Sequence, residues 1–224
     1  MTIVWHVDDV KMSHDDDKVS DEFTQHLRDI HDDEEIGTIK VNWGPRHEFL
    51  GMILDYSEPG KVIIDQTDSV KKMITDFEEK YRELTETPKT PATDHLFKVN
   101  NKCTKLDEEH KGDFHTYTAK GLFMCKRGRP DIQTTTAFLT TRVKEPDDND
   151  WKKLVRKLAY IKATKDMVLT LEADDTNLMR WFVDASHAVH PDMRGHTVGG
   201  ITLGKGAVYS KNTKQKINSK SSTE

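Results

Sequence analysis

At 224 residues the chain has room for one large domain or two small ones, and its 34% hydrophobic and 33% charged content predicts a lean core. No apolar run is long enough to span a bilayer, and the first residues lack the pattern of a secretion signal, which excludes a membrane partner and points to an intracellular protein, cytoplasmic or nuclear. The net charge of −5 divides unevenly: residues 1–100 carry 12 basic and 23 acidic side chains and residues 101–224 carry 22 and 16, so phosphate contacts are easiest to build in the C-terminal half.

The first predicted element is a hairpin. Apolar Val4, Trp5, Val7 and Val10 flank the adjacent acids Asp8 and Asp9, which suits a strand–turn–strand with both carboxylates at its tip. Such a pair is ordinary in a solvated turn. On a rigid turn it can also hold a divalent metal, which two-metal phosphoryl transfer requires. Asp15, Asp16 and Asp17 precede a helix with the stripe Phe23, Leu27 and Ile30, for which Ser20 is the expected N-cap. A calcium loop fails there, because Val19 and Ser20 occupy the ligand and turn-glycine positions.

Residues 38–43 read as a short strand broken by Gly44 and Pro45. The apolar runs 49–54 and 61–64 read as a hairpin around residues 57–60, Ser-Glu-Pro-Gly. Val70, Met73, Ile74, Phe77, Tyr81 and Leu84 then mark one face of a helix, and residues 87–91 form a linker. Residues 92–113 carry little pattern. Phe114, Tyr117, Thr118, Gly121, Leu122 and Cys125 predict a helix ending before Gly128, with Pro130 opening another through Phe138. Asp150 is the expected cap of a helix that turns Trp151, Leu154, Val155, Leu158 and Ile161 inward and Lys152, Lys153, Arg156 and Lys157 mostly outward. These three helices are expected to pack on one another.

The last segment changes character. Residues 180–184 read as a strand ending in Asp184, and residues 197–203 and 207–211 as a hairpin around Gly204, Lys205 and Gly206. A phosphate-binding loop is rejected over 199–206, because Gly206 stands where a metal-binding hydroxyl belongs. His187, His190 and His196 with Asp184 match no closed zinc pattern and read as surface or loop histidines. Cys103 and Cys125 have no motif spacing, which fits a reducing compartment.

Taken in order, these pieces resemble the Ty1/copia class of retrotransposon reverse transcriptases: the end of the polymerase followed by the start of RNase H. Val7-Asp8-Asp9 resembles the catalytic hairpin of the palm, with His6 where the family usually has tyrosine. Phe49, Leu50, Gly51 and Met52 resemble the hairpin that grips the primer end, and Gln66 with its helix resembles the segment that follows it. Arg129, Pro130, Asp131 and Ile132, with the helix from Trp151, resemble the connecting region. Val183, Asp184, Ala185 and Ser186 resemble the first RNase H strand. Lys214-Gln215-Lys216 and the run at 221–224 resemble the lead into its first helix. The resemblance covers essentially the whole chain.

The resemblance implies an α+β fold in three parts: a palm C-terminal part over 1–88, thumb and connection helices over 89–178, and an incomplete RNase H-like sheet over 179–224. It implies RNA-directed DNA polymerisation by two-metal phosphoryl transfer with Mg2+ or Mn2+, using Asp8 and Asp9 as metal ligands, and a separate RNase H site in which Asp184 is the metal-binding aspartate. The implied partners are an RNA/DNA template-primer or hybrid and the remaining polyprotein segments; oligomeric state is not implied. On the family's pattern a third palm aspartate precedes Met1 and the RNase H glutamate lies two residues beyond Glu224, so little or no activity is expected of this chain alone. The alternative is a non-catalytic nucleic-acid-binding remnant that uses Lys152, Lys153, Arg156 and Lys157 with Lys214 and Lys216.

Overall fold

A computed structural model describes residues 1–33, 37–100, 102–174 and 176–217. The fold is α+β. A hairpin of β1 (Thr2–His6) and β2 (Asp9–Ser13) leads into α1 (Asp17–His31). The strands β3 (Arg46–Phe49), β4 (Met52–Asp55) and β5 (Lys61–Asp65) are followed by four helices: α2 (Thr67–Lys80), α3 (Glu108–Cys125), α4 (Gln133–Thr140) and α5 (Asp148–Ala163). The chain ends in β6 (Leu169–Ala173), β7 (Arg180–Ser186), β8 (His196–Thr202), the short β9 (Gly204–Lys205) and β10 (Tyr209–Lys214). Among the described residues no helix is long and apolar enough to cross a membrane.

The core lies where the helical periodicity is strongest. Val70, Met73, Ile74 and Phe77 recur at i, i+3, i+4 and i+7 on α2 and meet Phe114 and Tyr117 of α3, Phe138 and Leu139 of α4, and Leu154, Leu158 and Ile161 of α5. Each fully buried side chain of this size contributes about 1.5–3 kcal/mol. The three expected helices therefore pack as anticipated, with α2 as a fourth member.

Two expected caps sit elsewhere. α5 is capped by Asp147, whose carboxylate accepts the amides of Asn149 and Asp150, while Asp150 bonds back to the Asp147 amide in a reciprocal capping box. α1 is capped by Asp16, which accepts the Lys18 amide at 3.0 Å, and Ser20 is buried inside the helix. In both cases an aspartate three or four residues upstream of the expected cap takes the free amides of the first turn, and its charge suits the positive helix end.

All strand pairs are antiparallel. One sheet has the order β3-β4-β5-β6-β9 and another the order β10-β8-β7, with β1-β2 a separate ribbon. The run 49–54, expected as one strand, is broken by a two-residue turn at Leu50 and Gly51, both at positive φ (53° and 67°). This backbone matches the right-handed twist of hairpin strands, and Ser69 Oγ of α2 donates to Gly51 O at 2.7 Å to hold it. Residues 38–43 form no strand; the Ile39 amide instead donates to Asp32 Oδ1. The strand β6, not expected from the sequence, pairs with β5, Val62 opposite Leu171 and Ile64 opposite Leu169.

The expected turn at Gly204, Lys205 and Gly206 is itself part of the larger sheet. Glu172 pairs with Lys205 and Ala173 with Gly204. Glycine is required on both sides of Lys205: a Cβ would lie 2.4 Å from Glu172 O at Gly204 and 2.2 Å from Thr170 O at Gly206. The β8–β10 connection thus ties the last sheet to the sheet built by β3–β5.

Candidate functional site

The β1–β2 connection consists of Val7 and Asp8, closed by the His6–Asp9 pair. Val7 adopts φ 56°, a region that a β-branched residue rarely occupies. Trp5 Nε1 donates to Val7 O at 2.6 Å and holds the turn. The outcome is two exposed carboxylates, Asp8 and Asp9, on consecutive residues of a tight tip. Hard oxygen donors in this arrangement suit Mg2+ or Mn2+ that keeps several waters. Among the described residues no group of three or more His, Cys, Asp or Glu side chains is gathered as a metal centre, so the pair could supply only part of a ligand set.

The primer-grip-like residues form the β3–β4 tip. Phe49 pairs with Met52, Met52 is buried, Leu50 is half-buried, and Gly51 is exposed beside Ser69 of α2. The two hairpins are linked by Lys11 of β2, whose Nζ lies 4.7 Å from the centre of the Tyr56 ring just after β4.

Asp184 lies in the exposed part of β7, opposite Val198, and its Oδ1 accepts the Ala185 amide at 2.8 Å. Directly opposed residues of an antiparallel pair share a face. Val198 is opposite Asn212, which bonds to Gln133 and Thr134 of α4. Phe182 and Asp184 therefore face the α4 side, at a cleft of about 610 Å3 lined also by Pro130, Gln133, Val198 and Asn212. Asp184 is a separate single carboxylate, not a third ligand for the Asp8–Asp9 tip.

The basic residues expected on α5 do not make one phosphate-facing surface. Lys152 is exposed. Lys153 donates to Lys98 O at 2.6 Å, lies 4.5 Å from the Phe138 ring centre, and is pushed down in pKa by burial. Arg156 Nη2 donates to Thr90 Oγ1. Lys157, expected to point outward, is fully buried: it shares the i, i+3, i+4, i+7 face of Leu154, Leu158 and Ile161, and Gly121 on α3 leaves room for its ammonium. Its one hydrogen bond runs to Tyr117 O at 3.4 Å, and burial pushes its pKa down to about 8. Lys214 pairs with Asp192 at 2.7 Å, and Lys216 is exposed. The run at 221–224 lies outside the described residues.

His187 is exposed, but His190 and His196 are not the surface residues expected. Their rings are bonded, Nε2 to Nδ1 at 3.0 Å, and His196 Nε2 reaches Asn212 Oδ1 at 3.3 Å. Phe97 packs against both rings. Burial, then the neighbouring His196 and Lys214, push His190 down to about 4 against the pull of Asp192; burial also lowers His196. Two neutral rings fit a relay in which His190 donates to His196 and His196 to Asn212. The relay docks the last sheet on α4. It depends on residues 97, 138 and 212, so no local pattern discloses it.

No family profile matches the chain. It is 26% identical over 208 residues to a Saccharomyces cerevisiae protein described as a transposon Ty5-1 protein, an alignment covering 92% of this chain and 63% of that protein. The chain thus spans less than two thirds of the length of this relative. No solved structure matches. The similarity supports a transposon-derived origin.

Proposed function

We propose that the chain is a C-terminal part of a Ty1/copia-type retrotransposon reverse transcriptase, running from the metal-binding turn of the palm through the thumb and connection helices to the first strands of RNase H. The observation that carries this reading is the β1–β2 tip, where a strained Val7 presents Asp8 and Asp9 side by side on exposed backbone. Support comes from the elements that follow: a tight Leu50–Gly51 turn held by α2, and a three-stranded antiparallel sheet with Asp184 on its first strand. The transposon relative supports the same descent.

Asp8 and Asp9 would hold the divalent cation, and Leu50 and Gly51 would touch the primer backbone. The cation, when bound, supplies activation of the primer hydroxyl and charge neutralisation at the departing pyrophosphate. The tip offers two carboxylates and Asp184 lies apart, so the isolated chain holds metal and template-primer without turning over. A purely basic-surface nucleic-acid binder is the weaker reading, because Lys153, Arg156 and Lys157 are engaged within the protein.

Primer extension on an RNA template, combined with template-primer retention, tests this function. The expected result is no extension in Mg2+ by the chain or by its Asp8→Asn/Asp9→Asn variant. Retention is expected to be stronger in Mg2+ than in EDTA, with the difference lost in the variant. Robust extension, or retention indifferent to Mg2+ and to the substitutions, would contradict it.

A further inference from the structure

We propose that His190 and His196 are a proton-operated latch: the neutral pair holds the β10-β8-β7 sheet on α4, and a proton taken up in mild acid releases that sheet. The pairing of β9 with β6 is the hinge that remains.

His190 lies in the β7–β8 loop and His196 opens β8, and each is only 2% exposed. The Phe97 ring centre lies 5.0 Å from the first imidazole and 5.2 Å from the second, and Phe138 of α4 stacks on His190. Asp192 is the one carboxylate that draws a proton towards His190, and none does so for His196. That carboxylate is already held by Lys214 at 2.7 Å and Arg194 at 3.5 Å. The other charged or titratable groups on the surrounding elements are His187 in the same loop, Lys153 of α5 over Phe138, and His95 and Lys98 beside Phe97 in sequence. Residues 133–140 of α4 contain none.

This surrounding suits two neutral rings and penalises a charged one. A proton on His196 Nδ1 would set two donors face to face across the 3.0 Å bond to His190 Nε2. A proton on His190 would leave a cation in the apolar slot between Phe97 and Phe138. Either charge gains water only when the sheet leaves α4. The remaining bonds between β10 and α4 are neutral: Gln133 to Ser210 O, Asn212 to Gln133, and Thr134 to Asn212. The β6–β9 pairing, Glu172 with Lys205 and Ala173 with Gly204, contains no histidine and keeps the sheet tethered. Release therefore opens the cleft beside Asp184, whose α4 side is Pro130 and Gln133.

His190 is held at about 4 against an ordinary 6.5, chiefly by burial, and burial also lowers His196. The released pair takes up protons below 6.5 while the docked pair does not. Docking is thus at full strength above pH 6.5, weakens as pH falls towards 4, and weakens no further below it. His190 alone makes docking roughly twentyfold weaker at pH 5 than at pH 7, and His196 adds to this. Carboxylates held low by their partners, Asp192 and Glu78 among them, start from 3.8 and 4.5 and act below this window.

Backbone hydrogen exchange of the full chain at pH 7 and pH 5, corrected for the intrinsic rate at each pH, tests the latch. A three-stranded sheet without its helix is marginal, so release appears as lost protection. Protection in β8 and β10 is expected to fall at least about tenfold at pH 5, while α2 and α3 keep theirs. Asn212→Asp places a carboxylate at the His196 ring, 3.3 Å from Nε2 in the parent, and should reduce the loss to less than about threefold. His190→Phe/His196→Gln removes both titrating groups and should show no loss. Equal wild-type protection at the two pH values, a matching loss in α2 and α3, or an undiminished loss in Asn212→Asp would each overturn the proposal. The Asn212→Asp comparison decides the matter even if the double variant does not fold.

Discussion

Replacing Arg129 by leucine is expected to destabilise the protein by about 3–5 kcal/mol, the range for breaking one side of a buried ion pair. Arg129 is among the largest fully buried side chains and stands between α3 and α4. Its Nε and Nη2 donate to Asp131, at 3.0 and 2.8 Å, and its Nη1 and Nη2 donate to Thr164 O and Oγ1, at 3.1 and 2.7 Å. One guanidinium thus fastens the α3–α4 corner to the end of α5. Leucine removes the guanidinium's bonds to the Asp131 carboxylate and to Thr164 O and Oγ1, leaving Thr164 O only the Met167 amide. Lysine keeps the charge but not the planar fork, so it should recover only part of the loss. Urea unfolding of the three proteins checks this, and a leucine variant within 1 kcal/mol of wild type would contradict it.

Replacing Lys157 by methionine is expected to act in the opposite direction, stabilising by about 2–3 kcal/mol at pH 7. A lysine pushed from 10.5 to about 8 carries a cost on the order of 3 kcal/mol while both states are protonated. The substitution removes that cost and gives up a single long hydrogen bond to Tyr117 O. Above pH 8 the folded ammonium loses its proton while the unfolded one keeps it, so wild-type stability rises with pH towards 10.5 and the advantage of methionine shrinks. Cys125 has the opposite sign: burial raises its thiol from 9.0 to about 11, so the unfolded chain ionises first and stability falls from pH 9. The lysine effect is therefore cleanest between pH 8 and 9. Urea midpoints for wild type and Lys157→Met across that window measure it, and a methionine variant less stable than wild type at pH 7 would contradict it.

The helical core was legible because its signal is local. The spacing of Val70, Met73, Ile74 and Phe77 states both a helix and its buried face. The same spacing rule places Lys157 among Leu154, Leu158 and Ile161, but its charge argued for solvent, and only the gap at Gly121 across the helix pair resolves the conflict. β6 carries a visible alternation, Leu169 and Leu171 against Thr170 and Glu172, yet its partner β5 is about a hundred residues away. A short alternating run shows a strand without showing which sheet receives it. The Leu50–Gly51 turn was hidden inside an apolar run, because leucine at positive φ is not a turn signal.

The candidate site divides in the same way. The Asp8–Asp9 tip is a local hairpin and is readable from its flanking alternation. The environment of Asp184 depends on register with β8 and on the reach of Asn212 to α4, neither of which is written near residue 184. The histidine relay required Phe97 and Asn212 as well as the two histidines.

The metal-binding role of the β1–β2 tip is the central claim, and paramagnetic broadening of amide NMR signals by sub-stoichiometric Mn2+ tests it most directly. The account predicts the strongest broadening at the amides of residues 7–10, stronger than at the acidic helix start around Asp15, Asp16 and Asp17, and its loss in Asp8→Asn/Asp9→Asn. Broadening spread evenly over the acidic surface, or unchanged at residues 7–10 in the double variant, would contradict it.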